Sequence, residues 1–289
     1  MSSTITILRP HLRDLGGFAV RRLLPAVSHQ TVGPFIFFDH FGPVDMAPGN
    51  GVDVRPHPHI GLATVTYLFD GALMHRDSLG SVQRITPGDV NWMTAGRGIV
   101  HSERSAPGDR ATGIRMHGLQ TWVALPLDLE DAAPSFTHVP GATLPRIDRD
   151  GARVVVVAGH AFGHRAPTPT TSDTLYASVE LPASATLDIP AEHEERAVYT
   201  VAGAIDVDGI LVPETHMAVL APRGSVRVTA QTAAIIMLVG GARPDGDRFI
   251  WWNFVASSRE RIETAKEKWR AQQYGGVPGD NEFIPLPER

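Results

Sequence analysis

Between His57 and Glu103 a turn signal interrupts the chain every few residues, and this punctuation constrains the fold more than any other feature. Asp70-Gly71, Asp77-Ser78-Leu79-Gly80 and Pro87-Gly88-Asp89 each mark a reversal, Asp70-Gly71 in the manner of a hairpin. The stretches between them are short and strand-like, Leu62-Ala63-Thr64-Val65-Thr66-Tyr67-Leu68-Phe69 most clearly. Several strands within about 50 residues make a β-meander that can curl into a barrel or a jelly roll.

The rest of the chain follows suit. Its 289 residues include 28 Gly and 23 Pro scattered along the whole length, so an all-β protein is expected. That length fits two domains of ordinary size. The polar, Pro-rich stretch after Pro126 places the boundary so that residues 1–135 form one domain and residues 136–289 the other. One helix stands out, over residues 259–274. Ser257 with Glu260 fits a capping box, Gly275 is the expected stop, and Ile262, Ala265 and Trp269 form one apolar stripe.

The two halves share a weak self-similarity. Tyr67-Leu68-Phe69-Asp70-Gly71-Ala72-Leu73 matches Tyr199-Thr200-Val201-Ala202-Gly203-Ala204-Ile205, 132 residues on. Ala95-Gly96-Arg97-Gly98 matches Ala221-Pro222-Arg223-Gly224, 126 residues on. A duplicated β-barrel is the natural reading.

Composition excludes several classes. With 43% hydrophobic and 20% charged residues the chain is globular rather than disordered. Its net charge is −5 and no block of Lys or Arg occurs, which argues against direct nucleic-acid binding. The absence of cysteine rules out disulfides and thiolate metal sites. No apolar run approaches the ~18 residues needed to cross a bilayer, and Met1-Ser2-Ser3-Thr4-Ile5-Thr6 does not read as a secretory signal, so a cytoplasmic protein off the membrane is the default expectation.

The chemistry concentrates in two pairs, His57/His59 and His101/Glu103. On a strand, residues two apart share a face, roughly 7 Å apart along the backbone. Two such strands facing each other would close three imidazoles and one carboxylate around a single ion. That donor set favours Fe(II), Mn, Co, Ni, Cu or Zn over Ca or Mg, and leaves a six-coordinate ion two open positions. By the offsets of the duplication the four donors fall on Ile189, Ala191, Arg227 and Thr229, so only the N-terminal half is expected to hold an ion. Other candidates take bland readings: His75 as a surface residue, His117 as hydrogen-bonded structure, His193 as part of a solvated acidic turn. Glu214 and His216 have no second pair to meet, and Trp92, Trp122, Trp251 and Trp252 belong to barrel core or rim.

The run His57-Pro58-His59, followed by His75-Arg76-Asp77-Ser78, Pro87-Gly88-Asp89 and Trp92-Met93-Thr94-Ala95-Gly96-Arg97-Gly98-Ile99-Val100-His101-Ser102-Glu103, resembles the pirin family of the cupin superfamily. The likeness continues through Gly118-Leu119-Gln120-Thr121-Trp122-Val123 to Trp252-Asn253-Phe254-Val255-Ala256-Ser257-Ser258. It implies a bicupin: two jelly-roll-type β-barrels with a C-terminal helix and a metal in the first. The ligands implied are His57, His59, His101 and Glu103, and the usual ion is Fe(II). It implies either of two functions. One is quercetin 2,3-dioxygenase-like cleavage of a flavonol with O2 and release of carbon monoxide, Glu103 serving as catalytic base. The other is a regulatory protein, a transcriptional co-regulator, acting through a protein partner without turnover. A monomer is slightly favoured. Ile60, Leu62 and Ala63 depart from the family pattern, which commonly has Arg, Phe and Glu there. Position 63 is in phase with 57 and 59, so a carboxylate is expected to be missing from the metal-facing side.

Overall fold

The computed structural model describes residues 5–14, 19–222 and 224–288. Strands dominate, and the described residues hold two α-helices, Pro107–Thr112 and Arg259–Arg270. None of their helices is long and apolar enough to cross a membrane.

The chain divides into two compact units, and the division is not a single cut. One unit combines Met1–Arg13, Arg21–Asp39 and Thr143–Arg243; the other combines Asp14–Val20, His40–Ala142 and Pro244–Arg289. The boundary expected after residue 135 differs from this in two ways. Ser135–Val139 pairs in register with Val90–Thr94 and so belongs with the first-half strands. The C-terminal helix does not close the second barrel either. Its buried stripe of Ile262, Ala265 and Trp269 packs in one cluster with Ile60, Val100, Phe254 and Ala256. Burying such a stripe is what stabilises a helix of this length, and two of its apolar partners, Ile60 and Val100, come from the first half of the chain.

In the unit containing His40–Ala142, one sheet runs in the order Asp53–His59, Ile99–Arg104, Leu73–Asp77, Val82–Ile85. The facing sheet includes Ser135–Val139, Val90–Thr94, Leu62–Asp70 and Ile114–Ala124 as successive neighbours. The expected turn at Asp70-Gly71 forms, but it carries the chain from one sheet to the other rather than joining paired strands. That alternation between sheets makes a jelly roll and not a meander.

The second unit repeats the arrangement. Thr186–Ile189, Val226–Ala230, Ile205–Val207 and Ile210–Val212 form its four-stranded sheet, and Thr6–Leu8, Met217–Val219, Glu195–Ala202 and Ala234–Gly241 are successive neighbours in the other. Leu62–Asp70 and Glu195–Ala202, the strands carrying Tyr67 and Tyr199, hold the same place in the two orders. The weak self-similarity of the sequence is therefore mirrored in the topology.

The helix begins one residue later than the capping box implies. Ser258 is its N-cap and its side chain accepts from Arg261 N. Ser257 is taken instead by Glu130, receiving the carboxylate at both its backbone N–H (2.6 Å) and its hydroxyl (2.7 Å). The helix ends at Arg270, short of Gly275, because residues 271–274 tighten into a turn.

Candidate metal centre

His57 and His59 lie on Asp53–His59, an edge strand, which is where Pro56 and Pro58 are tolerated: a proline has no N–H to give to a second neighbour. The strand pairs antiparallel with Ile99–Arg104, and His101 stands directly opposite His57. The two ligand strands are thus neighbours in one sheet rather than facing each other across the barrel. The three imidazoles are 6%, 2% and 1% exposed for His57, His59 and His101, and each offers a nitrogen within 4.8 Å of the others. Ring centroids are 4.4–5.0 Å apart.

Hydrogen bonds fix which nitrogen faces inward. His57 Nδ1 donates to Arg55 O at 2.9 Å and His59 Nδ1 to Asn253 O at 3.1 Å. A carbonyl can only accept, so each Nδ1 carries the proton and each Nε2 a lone pair, as a metal ligand requires. Asn253 is brought there by a close backbone approach. Ile60 O accepts from Val255 N, and Gly61 sits at φ 68° with its Cα so near the return segment that a Cβ would lie 2.0 Å from Val255 O.

His101 differs. Neither of its ring nitrogens has a hydrogen-bond partner, although both are buried. Leaving such groups unsatisfied costs about 1–3 kcal/mol. Burial, the leading cause, and the neighbouring imidazoles push His59 and His101 well below the usual histidine range, and burial pushes His57 down to about 4. At neutral pH the three rings are uncharged donors with lone pairs converging on one place. That chemistry fits a transition-metal ion.

Glu103 stands outside this three-histidine group. Its Oε1 is 3.4 Å from Thr66 Oγ1, which in turn lies 2.7 Å from Gln120 Oε1, and burial raises its affinity for a proton. The register shifts by a bulge between His101 and Glu103, with Glu103 opposite Val54 on one side and His75 on the other.

His75 is a correction to the sequence reading. It is buried rather than on the surface, stacked on Phe136 at 4.1 Å, with its Nε2 3.0 Å from Asp77 Oδ2. Its ring centroid is 5.3 Å from that of His101. Asp77 Oδ1 accepts from Leu79 N and Ser81 N, so the expected turn does form. Burial opposes the charge on Asp77, but the hydrogen bonds with His75 and Ser81 outweigh it and hold its carboxyl low. His117 is hydrogen-bonded structure, 2.7 Å from His40 through the two Nε2 atoms.

Ala63 is a second correction. The turn at Gly61 breaks the alternation, so position 63 is not in phase with 57 and 59. Thr64 and Thr66 are cross-strand from Trp122 and Gln120, and Trp122 lies against His59, so the even positions face the site. Ala63, one residue out, is on the opposite face of the sheet. No carboxylate is lost from the metal side by its being alanine.

In the other unit the positions matching the histidines carry no donors of this kind. Asp188 and Arg227 are cross-strand partners and form an ion pair at 2.7 Å. A different group does converge there, His160, Asp173 and His193, and His193 is buried rather than solvated.

Family models match both halves of the chain: Pirin over residues 17–123 and the Pirin C-terminal cupin domain over residues 176–275. A pirin-like protein of Caulobacter vibrioides is 50% identical over 280 residues, 96% of each chain. Human pirin is 33% identical over 78% of this chain and 76% of its own. The crystal structure of a quercetin 2,3-dioxygenase from Acinetobacter baumannii superposes with a TM-score of 0.92 at 32% identity, covering 99% of this chain and 95% of that one. With two cupin folds in one chain and relatives of this closeness along almost all of it, the protein belongs to the pirin family.

Proposed function

We propose that this protein is a metal-dependent dioxygenase that opens the ring of flavonols such as quercetin with O2 and releases carbon monoxide. The observation that carries the reading is the convergence of three uncharged imidazoles, one of them, His101, with no other partner for either nitrogen. The similarity to a quercetin 2,3-dioxygenase over nearly the whole chain supports it. His57, His59 and His101 would hold one divalent ion, with Glu103 as fourth donor; Fe(II) is the ion favoured, and Mn, Co, Ni, Cu or Zn suit the same donors. A bound ion supplies Lewis acidity and positions the protein leaves open.

The residues do the rest. Glu103, on or beside the ion, takes the proton of the flavonol 3-hydroxyl. Its raised proton affinity brings it nearer to the acidity of that hydroxyl, which is what an effective base needs. Thr66 and Gln120 orient the carboxylate from the facing sheet. Arg55 O and Asn253 O hold the imidazoles in one tautomer, so no reorganisation is needed when substrate arrives.

The test is anaerobic addition of quercetin to the metal-loaded protein, followed by oxygen. A shift of the flavonol absorption on binding, then loss of the flavonol with matching O2 uptake and carbon monoxide release, is expected. Glu103→Gln should lose turnover more than metal content. Metal-loaded protein that turns over no flavonol in air would overturn the reading. One observation favours a second function, a metal-dependent interaction protein without turnover: the three donors are almost wholly buried. That reading expects partner binding that follows metal occupancy while O2 uptake stays at background.

A further inference from the structure

We infer that the unit built around Thr143–Arg243 carries a second divalent-cation site, formed by His160, Asp173 and His193, that takes a borderline first-row ion such as Zn(II). This does not rest on the flavonol reading and shares no residue with the first centre.

Three separate strand ends supply the donors. His160 lies near the end of Ala152–Ala161, Asp173 directly precedes Thr174–Leu181, and His193 precedes Glu195–Ala202. Gly159, at φ 71°, lets the first of these strands approach the second so closely that a Cβ there would lie 1.7 Å from Thr174 O. A bulge between Val156 and Ala158 shifts the register just before it. Bulges of this kind re-aim side chains at functional sites. Asp173 is also held by its own backbone, its carbonyl accepting from Ala242 N at 3.1 Å.

The hydrogen bonds ask for a cation. His193 Nε2 is 3.1 Å from His160 O, a carbonyl, and so must donate to it. In an uncharged ring that leaves a lone pair on Nδ1, which faces Asp173 Oδ2 at 2.9 Å. Acceptor then meets acceptor, at a ring only 2% exposed, unless a proton or a metal ion lies between. His160 Nε2 lies 2.9 Å from the other oxygen, Asp173 Oδ1, and the two imidazole centroids are 4.3 Å apart.

The three donor atoms lie within 4.8 Å of one another, an arrangement that also suits a metal ion. Bonds of ~2.1 Å to a tetrahedral ion hold their donors ~3.4 Å apart, so the 2.9 Å nitrogen–oxygen separations, which also suit a hydrogen bond, need open only slightly for an ion to enter. The contact that orients metal-ligating histidines, a carbonyl accepting from the second ring nitrogen, is present at His193 as it is at His57 and His59. The carboxylate is 36% exposed, so an ion can enter and keep water in its remaining positions. Two imidazoles and one carboxylate select Zn, Ni, Co or Cu over Ca or Mg.

The experiment uses untagged full-length protein with the first centre silenced by His57→Ala and His59→Ala, equilibrated with Zn(II) alone, desalted and analysed for metal. We expect close to one zinc per chain, falling to near zero when Asp173→Asn is added. If silencing the first centre prevents folding, the same comparison is made in otherwise unaltered protein, where Asp173→Asn or His160→Asn should lower retained zinc from two per chain to one. Zinc should also raise the melting temperature of the silenced protein, and Asp173→Asn should abolish that rise. Zinc retention that Asp173→Asn leaves unchanged, or no retention by folded silenced protein, overturns the site and leaves a proton as the cation between His193 and Asp173.

Discussion

His101 stands opposite His57 across two neighbouring antiparallel strands, their ring centroids 4.4 Å apart, and neither nitrogen of His101 is hydrogen-bonded. The chain therefore holds a buried imidazole that no other protein group satisfies, a cost that an ion bound as proposed would recover. Replacing His101 with Leu removes both orphaned nitrogens at similar volume. We predict that metal-free His101→Leu matches or exceeds the metal-free parent in stability, by up to ~2 kcal/mol, while gaining nothing from added metal. Thermal melts with and without Fe(II) or Zn(II) check it; a strongly destabilised apo variant would show that the ring is packing structure and not a ligand in waiting.

The same burial sets an acid limit for the apoprotein. Burial pushes His57 down to about 4 in the folded state against 6.5 for the ordinary group, and His59 and His101 are likewise held well below that ordinary value. Between those two values the unfolded chain carries more protons than the folded one. Stability thus rises with pH through this window and is fully present above about 6.5. As pH falls from 6.5 toward 4, His57 alone should cost the apoprotein about 3 kcal/mol. Denaturant titrations at pH 7.5, 6, 5 and 4 measure the loss, which should be smaller in His57→Leu by about the His57 share, the part due to His59 and His101 remaining.

Glu103 is raised by burial and lowered in part by Thr66 and Gln120. The electrostatic influence of His75 lowers it as well, and Thr66→Val removes one of these three lowering influences. If Glu103 is the base, the rising limb of kcat/KM against pH should move to higher pH in Thr66→Val, with metal content unchanged. A limb that stays in place assigns the essential ionisation to another group.

Much of this site was legible because its code is local. Residues two apart on an uninterrupted strand share a face, so His57 and His59 could be paired from spacing, whereas the bulge between His101 and Glu103 breaks that rule for the second pair. Features set by distant partners were not legible. Two serines stand before the helix, and Glu130, 127 residues before Ser257, decides which of them becomes the cap. The return of Pro244–Arg289 to the first-half unit depends on Ile60 and Val100 offering an apolar surface, and no periodicity near the helix announces that. Ala63 was misplaced because one left-handed residue, Gly61, resets the alternation. His75 was read as surface because Asp77, two residues on, opens a turn. Its carboxylate has two oxygens, and while one closes the turn the other reaches the buried imidazole.

Gly61 also links the C-terminal return to the candidate metal centre. Its missing Cβ leaves room for Val255 O, and the chain so placed presents Asn253 O to His59. Gly61→Ala would force a side chain into a φ of 68° and against a carbonyl 2.0 Å away, so the return segment has to back off. The first group to lose its partner is then His59 Nδ1, whose proton fixes the orientation of the ring toward the ion. Losing an orienting contact of this kind weakens metal binding by ~10–100-fold. We predict that loss for Gly61→Ala, together with a lower melting temperature, and a smaller loss of affinity for Glu130→Ala, which loosens the same segment only through Ser257 and Arg261. Competition with a chelator of known affinity measures both. Equal affinities in parent and Gly61→Ala would mean that His59 is oriented by the barrel alone.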